Sequence, residues 1–211
     1  MIERRILLAA LATAAAAPAF AQTSNSQMSK DQPSGSTAAT RSGQQAELGE
    51  AEKRHIMNTM AAGGMSLLAS RAALKKVRDD DVKEFAQFEV AEQETIADVL
   101  MAMMDPSKAS GKINPPSDSE VRQQVSKDDQ AMLEKMEGMN GEAFEKAYIR
   151  AQIDGHQKLL RIQEDYLASG KDPAHLGIAK LARGQIKEHL TLLADLSEDG
   201  KATTGQSKSS K

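Results

Sequence analysis

From Ile56 to Val77 an apolar or small residue returns at alternating spacings of four and three: Ile56, Met60, Gly63, Leu67, Ser70, Leu74 and Val77. That spacing lays one continuous stripe along a helix, the seam through which helices pack on one another. The pattern recurs three times. A second segment, 81–103, carries Val82, Phe85, Glu89, Glu92, Ile96, Val99 and Met103 on its seam. A third, 142–169, carries two stripes, one through Ile149, Ile153, His156, Leu160 and Leu167, the other through Tyr148, Gly155, Leu159, Ile162 and Tyr166. A fourth, ending near Leu196, carries Ile178, Ala182, Gln185, His189, Leu192 and Leu196. Helix formers dominate, and aromatic residues make up only 3% of the 211-residue chain, too few for the usual β core.

Punctuation between the stripes supports the same reading. The run Asp79-Asp80-Asp81 makes a turn and caps the second segment. Asp172-Pro173 places a capping side chain before a proline in the first helical turn of the fourth. Ser117 with Glu120 forms a capping box for a shorter helix running to about Met136, and Asn140 can cap the third long segment. Two short links imply antiparallel hairpins. The long link between the second and third segments, broken by Asp105-Pro106 and Pro115-Pro116, can cross the length of a bundle. The expected fold is all-α: an antiparallel four-helix bundle over 46–199, ferritin-like, with one long crossover.

The flanks read differently. Residues 1–21 combine Arg4-Arg5, an apolar run from Ile6 to Ala17, and small residues at Ala19 and Ala21, the form of a cleaved signal peptide. Residues 22–45 and 200–211 are rich in Ser, Gln, Thr, Lys and Gly and read as a disordered spacer and tail. No later run is long and apolar enough to span a bilayer. An exported protein results, periplasmic or peripheral to an envelope membrane.

Several functions are excluded by composition. Without cysteine there is no disulfide, thiol nucleophile or cysteine metal site. A net charge of −3 with few aromatics argues against nucleic-acid binding. Neither a phosphate loop nor a nucleophile elbow is present.

The seams do contain polar residues. Glu89 and Glu92 of the second segment, His156 of the third and His189 of the fourth, with Glu188 beside it, sit near mid-helix, where their levels should coincide. Their chemistry suits iron, manganese or zinc. A two-metal centre lacks its ligands: Ser66, Leu67 and Ser70 stand where the first segment would supply a carboxylate. A single divalent ion on Glu92, His156 and His189 remains, beside the reading in which the same groups hydrogen-bond and specify helix pairing. Met57 and Met60, with Met101, Met103 and Met104, should meet at one end of the bundle, where thioethers serve either as adaptable filler or as copper(I) ligands. His55 and His175 lie off the main seams and read as surface or capping residues. Gly63-Gly64 reads as a site of close helix packing.

The stretch Ala61-Ala62-Gly63-Gly64, the runs beginning at Val82 and at Gly141, and the pairs Gly155-His156 and Glu188-His189 resemble, in order and spacing, an exported bacterial family of unknown function. Its members are assigned a ferritin-like bundle and often labelled outer membrane proteins. The resemblance implies a glutamate on the first helix and an Asp-His pair on the second. Ser66 and Glu92-Gln93 stand there in this chain. Two functions follow: a non-enzymatic envelope protein acting through its surface in partner binding or stress tolerance, or a metal-binding protein with oxidative chemistry at the interior residues.

Overall fold

The computed structural model describes residues 48–197, all within one unit of the chain, 45–211. The signal segment, most of the spacer and the tail lie outside the described residues. Among the described residues the structure is helical throughout. Its helices are α1 (Glu50–Lys76), α2 (Asp80–Met104), α3 (Asp118–Gln124), α4 (Lys127–Glu137), α5 (Gly141–Ser169) and α6 (Pro173–Leu196), with a 3-10 turn at Pro106–Lys108.

The caps show why the elements begin where they do. Asp79 accepts from the amides of Asp81 and Val82, and Asp172 accepts from the amide of His175 with Pro173 in the first turn. Ser117 and Glu120 form the expected reciprocal capping box. Asn140 occupies the N-cap of α5, but its side chain makes no capping bond. The turn there rests on Gly141, whose φ of 56° is the left-handed conformation that favours glycine. The single short helix expected over 117–136 is two helices. Val125 leaves the helical conformation and Ser126 caps a new start, accepting from the amide of Asp129.

Helix α1 packs on both α2 and α5, α5 packs on α6, and α2 reaches α6. Directions follow from the bonds between them. Ser70, Ser66, Thr59 and Glu52 of α1 meet Tyr148, Gln152, Gln163 and Tyr166 of α5, so these two helices are antiparallel. The crossover helices α3 and α4 also lie on α1. With neighbours on so many sides, α1 is buried at every position from Ala62 to Ser70.

The close packing expected at Gly63-Gly64 is present, with different partners for each residue. A methyl group on Gly63 would sit 2.2 Å from Oε1 of Gln93 on α2, and one on Gly64 2.9 Å from Cγ1 of Val121 on α3. Arg71 anchors the crossover on its outer side, bonding Glu94 at 2.8 Å, Asp118 at 2.5 Å and the carbonyl of Pro116 at 3.0 Å.

The core is layered along the axis. A large apolar cluster includes Leu67, Leu68, Phe85, Phe144, Tyr148 and Leu193. A second, small one consists of Ala62, Leu159, Ala182 and Ile186. On α1, α5 and α6 alike, the residues of that small layer fall between two sets of buried polar side chains.

Candidate metal site and a second polar layer

The first polar layer joins α2, α5 and α6. Glu89 is wholly buried, His156 is 1% exposed and His189 7% exposed. Glu89 Oε2 lies 2.9 Å from Nδ1 of His189 and 3.2 Å from Nε2 of His156, and those two nitrogens are 3.1 Å apart. Glu89, His156 and His189 therefore do converge, although the seam expected on α6 is shifted: Gln185 and Leu192 are exposed, and Ala179, Ile186 and Leu193 lie on the buried face with His189.

The outer nitrogen of each imidazole is also held. Nδ1 of His156 donates to the backbone carbonyl of Gln152 at 2.8 Å. Nε2 of His189 donates to Glu92 Oε2 at 3.0 Å. Both acceptors lack protons to offer, so both outer nitrogens carry hydrogen. The inner nitrogens of His156 and His189 and the oxygen of Glu89 then form a triangle of three lone-pair donors, which only a cation can satisfy. Without a metal that cation is a proton on His189 Nδ1. Burial opposes the charge, but bonds to Glu89 and Glu92 outweigh it and raise the His189 pKa to about 10. For Glu89, burial raises and the two histidines lower, with the net result well below the usual carboxylate range.

The same triangle fits a metal ion. Ligand atoms about 2.0–2.2 Å from one ion are themselves about 3 Å apart, the separation seen here. Glu89, His156 and His189 are the group among the described residues that offers three such atoms within 4.8 Å of one another. Tethering of the outer nitrogens to a carboxylate and a carbonyl is the usual orientation of metal-bound histidine. Glu89 Oε1, on the same carboxylate, is buried with no protein hydrogen-bond partner, so acceptor capacity is left over at this layer.

Two expectations need correction. Glu92 belongs outside the triangle, orienting His189 and not converging on a common ion with His156. Glu188 is exposed and takes no part, because a residue directly before an inward histidine points about 100° away from it. Gln152 went unnoticed in the sequence. It is fully buried, donates to the Ser66 carbonyl at 3.1 Å and to Ser70 Oγ at 3.0 Å, and so ties the histidine helix to α1. Ser70 in turn bonds the hydroxyl of Tyr148 at 2.8 Å.

The second polar layer overturns the surface reading of His55 and His175. They are 4% and 0% exposed. Nε2 of His55 donates to Gln163 Oε1 at 2.8 Å, so Nδ1 accepts from Nε2 of His175 at 2.7 Å. Gln163 also donates to Thr59 at 3.1 Å, and Tyr166 donates to Glu52 at 2.8 Å beside the two rings. Both imidazoles are neutral in this arrangement. Burial lowers both pKa values, that of His55 to about 4. The missed signal was spacing: His55 stands four before Thr59, and Gln163 stands seven after His156, so each lies on an inward face that polarity disguised.

Comparisons with known proteins agree with the helical fold. A crystal structure of a DUF305 protein from Streptomyces coelicolor, described as secreted, superposes with a TM-score of 0.58 at 14% identity, over 72% of this chain and 94% of that one. At that identity the likeness concerns the fold alone. No curated protein matches the chain. Residues 37–196 match the family model for a domain of unknown function, DUF4142, and the chain belongs to that family.

Proposed function

We propose that this chain is an exported, ferritin-like four-helix bundle that holds one divalent metal ion on Glu89, His156 and His189 without acting as an enzyme. The observation that carries the reading is the triangle of ligand atoms 2.9–3.2 Å apart, with the outer nitrogen of each imidazole already bonded to an acceptor. A zinc, iron(II) or manganese(II) ion suits two imidazoles and a carboxylate, with further positions open to water. Helix connectivity, with one long link between α2 and α5, supports the ferritin-like arrangement. Export rests on residues 1–21 and accords with the description of the DUF305 protein as secreted. No helix among the described residues is long and apolar enough to cross a membrane.

A second reading is favoured by the position of His189 between two carboxylates, Glu89 at 2.9 Å and Glu92 at 3.0 Å. In it a proton permanently takes the cation's place, and the layer is a structural network that sets helix register. Elemental analysis of the purified protein and calorimetric titration with zinc(II), manganese(II) and iron(II) decide between the two. One equivalent of metal, lost on His156→Leu with the helical spectrum intact, supports the ion. A metal-free protein that His156→Leu leaves equally stable, or stabilises, refutes it in favour of the network.

A further inference from the structure

Four methionines line one recess of about 540 Å³ at the end of the bundle where α1 begins and α2 ends. Met57 and Met60 are one turn apart on α1, and Met101 and Met104 are one turn apart on α2, so each pair shares a helix face. Met103, which the sequence grouped with them, lines a different recess with Leu48 and Val99. Asp105 and Lys108 stand at the rim with opposite charges.

Buried filler does not account for this arrangement. Methionine used as filler is enclosed, whereas Met57 is 60% and Met104 55% exposed. Good helix propensity would explain one exposed methionine, but not i, i+3 pairs on two adjoining helices facing a common space. Thioethers gathered at an open recess are neutral, soft ligands, with no carboxylate or imidazole required.

We propose that Met57, Met60, Met101 and Met104 form a binding site for a soft monovalent cation, copper(I) or silver(I), separate from the Glu89–His156–His189 layer. Because thioethers do not titrate, the site should bind at acidic pH as it does at neutral pH. The test uses silver(I), which needs no reductant, titrated into the full chain at about pH 5 and followed by calorimetry and native mass spectrometry. The wild-type chain should take up one silver(I) per chain in this recess. Replacing all four methionines by leucine keeps the apolar volume and should weaken binding by at least about tenfold. Met103→Leu should leave it unchanged. Should the quadruple variant fail to fold, the double variants Met57→Leu/Met60→Leu and Met101→Leu/Met104→Leu each should weaken binding. The proposal is overturned if the wild type takes up no silver(I), or if the leucine variants bind it as tightly as wild type.

Discussion

Glu89→Gln is the substitution that most directly interrogates the interior site. Gln keeps the shape of Glu but removes its charge. In the metal-free protein Glu89 Oε2 accepts a charge-assisted bond from His189 at 2.9 Å, with His156 at 3.2 Å. A charge-assisted bond contributes about 1.5–3 kcal/mol and a neutral one about 0.5–1.5, so the exchange should cost roughly 1–2 kcal/mol. The full penalty for an unpaired buried charge, about 3–5 kcal/mol, is not expected, because the amide carbonyl of the new glutamine still accepts from His189 and Glu92 still pairs with it at 3.0 Å. Glu89→Leu, which removes the acceptor altogether, should approach that larger figure. For a domain of this size about 2–4 °C of melting temperature corresponds to each kcal/mol, so Glu89→Gln should melt roughly 2–8 °C lower.

The pH course of that difference has a defined sign. The His189 pKa is raised by folding, to about 10. Its stabilisation is therefore complete below the unfolded value near 6.5 and declines as pH rises through 10. The gap between wild type and variant should therefore be widest below about pH 6.5 and shrink as pH rises toward 10. Metal adds an independent arm. At zinc concentrations ~100 times its dissociation constant the wild type should gain about 2.7 kcal/mol, and the variant little or none. Differential scanning calorimetry with and without zinc measures both. A Glu89→Gln protein with wild-type melting temperature and an undiminished zinc shift would refute the assigned geometry and the metal reading together.

Acid should act through the other polar layer: folding lowers the His55 pKa to about 4, so stability is full above pH ~6.5 and falls toward pH 4, by at most about 3 kcal/mol. Glu52 and Asp172 moderate that loss by their charge, and a urea series across this range should show His55→Gln flattening it. Gly64→Ala should destabilise by about 1–3 kcal/mol, despite the better helix propensity of alanine, since the new methyl meets Val121 of α3 and Val125 just beyond its end; a stabilised variant in chemical denaturation would show that this segment yields freely. Mass spectrometry of the exported chain should find Gln22 at its start, and a retained Met1 would remove the basis for export. Deleting residues before 46 and after 199 should leave the melting temperature within about 2 °C, if those polar segments have no apolar face to bury.

Helix existence was legible in the sequence because period and punctuation are local. The four-three recurrence of Ile56, Leu67 and Val77, the Asp172-Pro173 start and the Ser117–Glu120 box act within a few residues of themselves, and the structure retains all of them. Convergence of Glu89, His156 and His189 was legible only in part: the seam read for the fourth helix sets Gln185 and Leu192 beside His189, yet both are exposed, and Ala179, Ile186 and Leu193 share the buried face with it instead. Which nitrogen meets which oxygen was not legible. The roles of Glu92 and Glu188 differ by how each helix is rotated against its neighbours, which periodicity constrains only to about one residue.

His55, His175, Gln152 and Gln163 were hidden for a related reason. A polar residue alone carries no inward signal, and it becomes tolerable inside only when another helix supplies its hydrogen-bond partner. Local chemistry along the chain decides that helices form, and narrows the buried face of each to within about one residue. Only their packing against one another decides that Gln163 finds Thr59 and His55, that His175 joins them, and that two imidazoles and a carboxylate close into a triangle about 3 Å on a side. Those distances are properties of pairs of helices, and no single helix contains them.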